Sequence, residues 1–164
     1  MKKSKPTAAF NSPYELGVRM VYLLNSLQPA GADLQKLVLL DYAIVYSNDL
    51  GGPPSLHTPV PYRGSEYLSR RDLIAQGLYL MSTRGLVAVA MDETGITYFA
   101  GDSARSMVGA LTSPYLRELE DRCRWAAVTF ATLSSRDMTE RFAKQGYLWG
   151  AEFEGTSLRR GQWQ

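Results

Sequence analysis

The chain has 164 residues, 45% of them apolar and 21% charged, which is the composition of one ordinary globular domain. That excludes wholesale disorder, a collagen-like repeat and a disulfide-stapled mini-protein, and a chain of this size buries a core without metal or disulfide help. The net charge is +2, from 18 Lys and Arg against 16 Asp and Glu, spread without the asymmetry that marks a nucleic-acid tail.

The start, Met1-Lys2-Lys3-Ser4-Lys5-Pro6, is basic like the beginning of a signal peptide. No apolar stretch follows it, because Asn11, Ser12, Pro13 and Glu15 intervene. The chain nowhere holds a run of about 18 apolar residues, so no membrane span is expected. Residues 1–9 are expected to be flexible.

Ser12-Pro13-Tyr14-Glu15 places serine at an N-cap, proline at N1 and glutamate at N3, a capping box that opens a first helix. Leu16, Met20, Leu23, Leu24 and Leu27 follow at helical spacing, and Pro29-Ala30-Gly31 stops it. A second helix is predicted from about Asp33 to Ser47. Residues 49–65 read as an ordered loop, with Pro53, Pro54, Pro59 and Pro61 but also Leu56, Val60 and Tyr62, which can pack.

Ser69-Arg70-Arg71-Asp72 resembles another capping box and predicts a third helix from Ser69, with Leu73, Ile74, Leu78 and Met81 on its apolar stripe and Gly85 as its stop. Leu86–Met91 and Ile96–Phe99 then flank Asp92-Glu93-Thr94-Gly95, a hairpin with a four-residue connection of type I plus bulge. A short fourth helix is predicted from Asp102 or Ser103 to about Leu111, a long one from Ser113-Pro114 to about Leu133, and a weaker one from about Ser135 to Lys144. Residues 150–164 read as a polar tail, loose unless a partner orders it.

The fold class expected is therefore mostly α with a β-hairpin (α+β). The order of three helices and then a hairpin is winged-helix-like, and a long C-terminal helix follows. One such domain is expected over residues 10–149. Fold analogy of this kind carries no function by itself.

Residues able to carry chemistry are few. Asp41 falls in the middle of the face shared by Leu34, Leu37, Ile44 and Val45. A carboxylate there must be paired, neutralised or turned away from the core. Arg63, Arg70, Arg71 or a backbone amide would pair it; contact with another subunit is the next reading, and general acid/base work the least supported. His57, in Ser55-Leu56-His57-Thr58-Pro59, reads as a loop histidine fixing a proline-rich turn, or as a base for Ser55 or Ser65 in a hydrolase. No nucleophile elbow accompanies it.

Arg63, Glu66, Arg70 and Arg71 cluster between loop and third helix, either as phosphate contacts or as a salt-bridged surface with Glu66 and Asp72. In the long helix Leu116, Leu119, Cys123, Ala126, Phe130 and Leu133 form a seam expected to pack on the domain's own core. Trp125 lies opposite it among polar residues, either covered by the tail or an interface anchor.

The chain has no phosphate-binding glycine loop of either common type. With one Cys and one His it forms neither an intrachain disulfide nor a Cys/His zinc cluster. No cofactor, metal or catalytic residue is expected, and a reducing cytoplasm suits the lone thiol.

Several stretches together resemble one family, the middle component of bacterial ABC-three-component systems, the small accessory subunit of Lamassu-type antiviral defence. They are residues 10–17 (Phe-Asn-Ser-Pro-Tyr-Glu-Leu-Gly), Leu39-Leu40-Asp41-Tyr42, residues 51–57 (Gly-Gly-Pro-Pro-Ser-Leu-His), Arg70-Arg71 with Gly77-Leu78, Met81 with Arg84-Gly85-Leu86-Val87, and Ser113-Pro114-Tyr115. The likeness runs from about residue 10 to 133, and nothing is carried over to 134–164.

The resemblance implies a non-enzymatic subunit between an SMC-like ABC ATPase and an effector, often a nuclease, with DNA contact indirect. It implies no catalytic residues. Asp41, His57, Arg63, Arg70, Arg71 and Trp125 stand as candidates for holding the loop and docking a partner. The alternative is a freestanding winged-helix DNA-binding transcriptional regulator, which would bind duplexes with steep salt dependence.

Overall fold

The structure is a computed structural model that describes residues 12–58 and 66–145, without the side chains of 66–69 and 145. It is mostly helical with one antiparallel hairpin. Helix α1 spans Pro13–Leu27, α2 Leu34–Val45 and α3 Glu66–Ser82; strands β1 and β2 span Val87–Asp92 and Gly95–Ala100; α4 spans Ala104–Ala110, α5 Pro114–Phe130 and α6 Ser135–Gln145.

Cap chemistry sets most of these limits. Ser12 Oγ accepts from the Glu15 N–H at 3.2 Å, Asp33 Oδ1 from the Lys36 N–H at 2.7 Å and Ser113 Oγ from the Leu116 N–H at 3.2 Å, each satisfying a first-turn donor. At the end of α3, Leu86 N–H reaches back to Met81 O and Gly85 N–H to Ser82 O, with Gly85 at φ +69°. That is a Schellman stop, which needs the left-handed conformation glycine adopts without strain.

Helices α1 and α2 form the centre. From Leu16 to Leu24 only Val18 is less than fully buried, so α1 is covered on all sides rather than along one stripe. Helix α2 is buried continuously from Lys36 to Val45. Lys36 sends its ammonium to the end of α5, donating to Ala131 O at 3.1 Å and Leu133 O at 2.7 Å. A cation there meets the negative end of the helix dipole, while burial pulls the ammonium pKa down. On α5 the predicted seam is buried at Leu119, Cys123, Ala126 and Phe130, and Phe130 stacks edge-on with Phe142 of α6 at 5.5 Å.

The structure corrects three expectations. Helix α3 is already under way at Glu66, so Ser69 lies inside it and is not its cap. The serine–aspartate spacing carries no stop, and nothing between Glu66 and Ser69 breaks a helix. The hairpin register runs unbroken from Val87↔Ala100 to Asp92↔Gly95, leaving only Glu93-Thr94 in the turn instead of a bulged four-residue connection. The Asp92 carboxylate closes that turn by accepting from the Thr94 N–H at 2.8 Å and the Thr94 hydroxyl at 2.5 Å. Helix α5 ends at Phe130, three residues short of Leu133. The flexible start at 1–9, the tail at 150–164 and the loop residues 59–65 lie outside the described residues.

Helices α1 and α3 meet at glycines. A Cβ on Gly77 would stand 2.6 Å from both Gly17 N and Pro13 O, backbone atoms that have nowhere to move. Gly77→Ala is therefore expected to cost about 1–3 kcal/mol through overpacking. Gly109→Ala, where a Cβ meets nothing within 4 Å, is expected to be neutral or to stabilise by up to about 1 kcal/mol. Urea unfolding of the two variants checks the contrast.

Candidate functional site

The apolar face of α2 forces one carboxylate inward, and the structure builds around it. Asp41 has no solvent exposure. Arg19 of α1 grips it with Nε to Oδ1 at 2.8 Å and Nη2 to Oδ2 at 3.1 Å, a two-pronged pairing. Arg70 of α3 adds Nη1 to Oδ2 at 3.2 Å, and its guanidinium lies 5.7 Å over the Tyr46 ring. Three helices are thus tied at a single buried charge.

The cluster continues into the loop and α5. Arg19 also hydrogen-bonds Tyr115, near the start of α5. Tyr115 Oη lies 2.9 Å from His57 Nε2, and the two rings stack with centroids 6.0 Å apart. Burial, then Arg19 and Arg70, push the His57 pKa down to about 4, against a partial pull upward from Asp41. The imidazole is neutral at pH 7. Burial raises the Tyr115 and Cys123 pKa values, so at pH 7 both keep their protons.

The chain after α2 is ordered by bonds of its own. Ser47–Leu50 forms a 3-10 turn. Tyr42 Oη donates to Asp49 Oδ2 at 2.8 Å, and Ser47 Oγ donates to Pro53 O at 2.9 Å and Pro54 O at 3.2 Å. Ser55 Oγ accepts from the Asn48 N–H at 3.2 Å, and the His57 N–H donates to Val45 O at 3.2 Å. Arg122 of α5 reaches across to donate to Pro54 O at 2.8 Å. Asn48 and residues 54–58 line an open cleft on this loop.

Trp125 is half-buried beneath it. A Cβ on Gly52 would fall within 2.3 Å of the indole, so the loop backbone lies flat on the ring, and Phe130 meets the ring edge-on at 5.7 Å. The cover over Trp125 is therefore the loop.

The structure thus brings together four of the six residues singled out from sequence: Asp41, Arg70, His57 and, under the same loop, Trp125. Arg70 turns inward to Asp41, one of the partners expected for that carboxylate, which leaves it away from the other role considered for it, a surface pair with Glu66 and Asp72 or a phosphate contact. Arg71 stands apart, donating from Nη1 to Gln35 Oε1 at 2.8 Å. Arg63 lies outside the described residues. Sequence reasoning missed Arg19 and Tyr115. A signal existed for Arg19, since it sits between Leu16 and Leu23 on the stripe that buries α1. Tyr115 gave none beyond its place in a helix start.

Among the described residues no three His, Cys, Asp or Glu side chains gather into a metal-binding group, and no helix is long and apolar enough to cross a membrane.

The family model described as ABC-three component (ABC-3C) system Middle Component 2 matches residues 9–152. The chain belongs to that family. It is an accessory middle component that works with the other components of such a system. The match takes in α6 as well, beyond the stretch where the sequence resemblance was drawn. Comparison with curated proteins and with solved structures finds no match.

Two outcomes are expected of the cluster. Asp41→Ala leaves two guanidiniums around an empty carboxylate position and should cost about 3–5 kcal/mol in denaturant unfolding. The pH response follows from His57: its folded pKa of about 4 lies below the unfolded value of 6.5, so the unfolded chain binds more protons between those limits. The His57 contribution is complete above pH 6.5 and fades as pH falls toward 4. After allowance for solvent screening, about 1 kcal/mol should disappear between pH 7 and pH 5. His57→Gln should flatten that part of the profile, measured by urea melts at both pH values.

Proposed function

We propose that this chain is the non-catalytic bridging subunit of a Lamassu-like defence complex, held in the cytoplasm between an SMC-like ABC ATPase and an effector such as a nuclease. Its membership of the Middle Component 2 family carries the reading. The chemistry of the described residues supports it. The sole imidazole is paired with Tyr115 and kept neutral, the sole thiol is buried and protonated, and the one fully buried carboxylate is held by two arginines.

In this reading the loop at 47–58 is a docking element. Asp41 and Arg70, being buried, act through it: with Arg19 they fix the helices from which it hangs. His57 clamps its far end to α5, and Trp125 supports its middle. Arg71, partly exposed on α3, and Arg63 are the remaining candidates for direct contact. Control of the effector requires that the docked surfaces bind two states of the ATPase with different affinity. Any contact with DNA is made through the larger partners. The hairpin that would be the wing of a DNA-binding regulator carries Asp92 and Glu93 and, from Gly85 to Ser103, no Lys or Arg to meet phosphate.

The test is co-expression of the tagged full chain with the other components of its system. Both components are expected to co-purify at moderate salt. Trp125→Ala is expected to lower recovery of one of them about tenfold while the chain keeps its melting transition, as for an anchor beneath an interface. A wild-type chain that purifies alone with both components present would refute the reading.

A further inference from the structure

Among the described residues, three of the exposed large apolar side chains lie on the hairpin. Met91 is 78% exposed, Val89 48% and Ile96 45%. They lie on one face, because Met91 pairs with Ile96 across the strands and Val89 is two residues along from Met91. Five of the six residues of β1 are exposed.

The backbone of β1 is equally open. On the far side of β2, Tyr98 uses its N–H and C=O on Ala32, at 2.8 and 2.9 Å. Its cross-strand partner Val89 therefore belongs to the pairs that do not exchange ladder bonds, and so does Met91 two residues on. The N–H and C=O of both residues point out from the free edge of β1. Among the described residues no backbone hydrogen bond engages them.

Natural sheets blunt such edges with lysine, proline, a bulge or a cover. Here Val87-Ala88-Val89-Ala90-Met91 has no charge and no proline, and its register holds no bulge. An apolar edge without a bulge, charge or proline is the surface to which an extended peptide adds as a strand.

Charge identifies the occupant. Asp92 and Glu93 stand at the tip of this hairpin, and neither forms an ion pair among the described residues. No cation occurs from Gly85 to Ser103. A second copy carries the same two acids at its own tip, so a parallel joining of two β1 strands would bring like charges together. A segment of a different protein, with apolar side chains at alternate positions and a basic residue at the hairpin tip, matches both features.

We propose that the β1 edge is a strand-addition site for an extended, apolar and basic segment of a partner protein. The inference rests on the bridging role and adds a second docking surface with its recognition chemistry.

The probe is the pair of other system components co-expressed with the full chain. Amide exchange at Val89 and Met91 is expected to be fast in the free chain and slowed about 100-fold or more in the complex. Val89→Pro removes an outward N–H while sparing the β1–β2 ladder, a place where edge strands tolerate proline. It should lower recovery of one component about tenfold or more. Glu93→Lys, at an exposed turn position, should weaken the same component, most at low salt. Amides that stay fast in a complex formed by the wild-type chain, or variants that hold both components as well as wild type, overturn the proposal while leaving the bridging role intact. Recovery of neither component by the wild-type chain overturns both. A free chain that dimerises through β1, with dimerisation lost in Val89→Pro, also overturns it by assigning the edge to a second copy.

Discussion

One buried carboxylate organises this fold. Asp41 sits where the period of α2 demands an apolar side chain, and a lone carboxylate there would not remain charged. Arg19 and Arg70 pair with it, and in doing so draw α1 and α3 to the same side of α2. An apolar residue of similar volume would often serve stability as well or better. What a leucine would not supply is direction: it would leave the guanidiniums without their shared anchor and Tyr115 and His57 without the charges that surround them. The cluster specifies how four helices and a loop meet, which packing area alone leaves open.

The same cluster sets the state of the loop. His57 is held neutral by burial and by two nearby guanidiniums, and a neutral imidazole can share a hydrogen bond with a phenol in either direction. A protonated one would stand beside two existing cations. Protonation of the histidine therefore works against this one contact between the loop and α5. Beneath it Gly52 lies against the Trp125 ring, so the residue expected either under the tail or at an interface is part of the loop's seat. An anchor covered in this way contributes through the shape it gives the loop above it.

What was legible in the sequence was local. Ser12, Ser113 and Gly85 mark helix limits because capping is decided within four residues, and the seam on α5 is buried because its period matches the helix. Asp41 was recognisable as a charge that needed a partner. Its principal partner was missed: Arg19 lies 22 residues upstream, and although it falls on the buried stripe of α1, the leucines there explained the helix without it. Ser69 shows the opposite error: its spacing imitates a cap, but a helix already under way ignores the imitation. The hairpin turn was misread because Asp92 was counted as loop, when its side chain closes the turn from within the strand. The seating of Gly52 on Trp125 joins segments more than seventy residues apart, and no local pattern encodes it.

The proposed bridging role calls for separate surfaces, and α2 separates the two candidates. Just before it, Ala32 straps the hairpin by its bonds to Tyr98; at its end, Val45 O holds the His57 N–H of the loop. Twelve helical residues lie between, about 18 Å of rise. The hairpin and the loop therefore hang from opposite ends of one buried helix, and Asp41 lies one turn from the loop end. A partner that pulled on either surface would load the same helix, whose buried polar joints are Lys36, bonded to the end of α5, and the carboxylate shared by Arg19 and Arg70. Such a joint has few alternative geometries in a packed interior, so it fixes the placing of the hairpin relative to the loop.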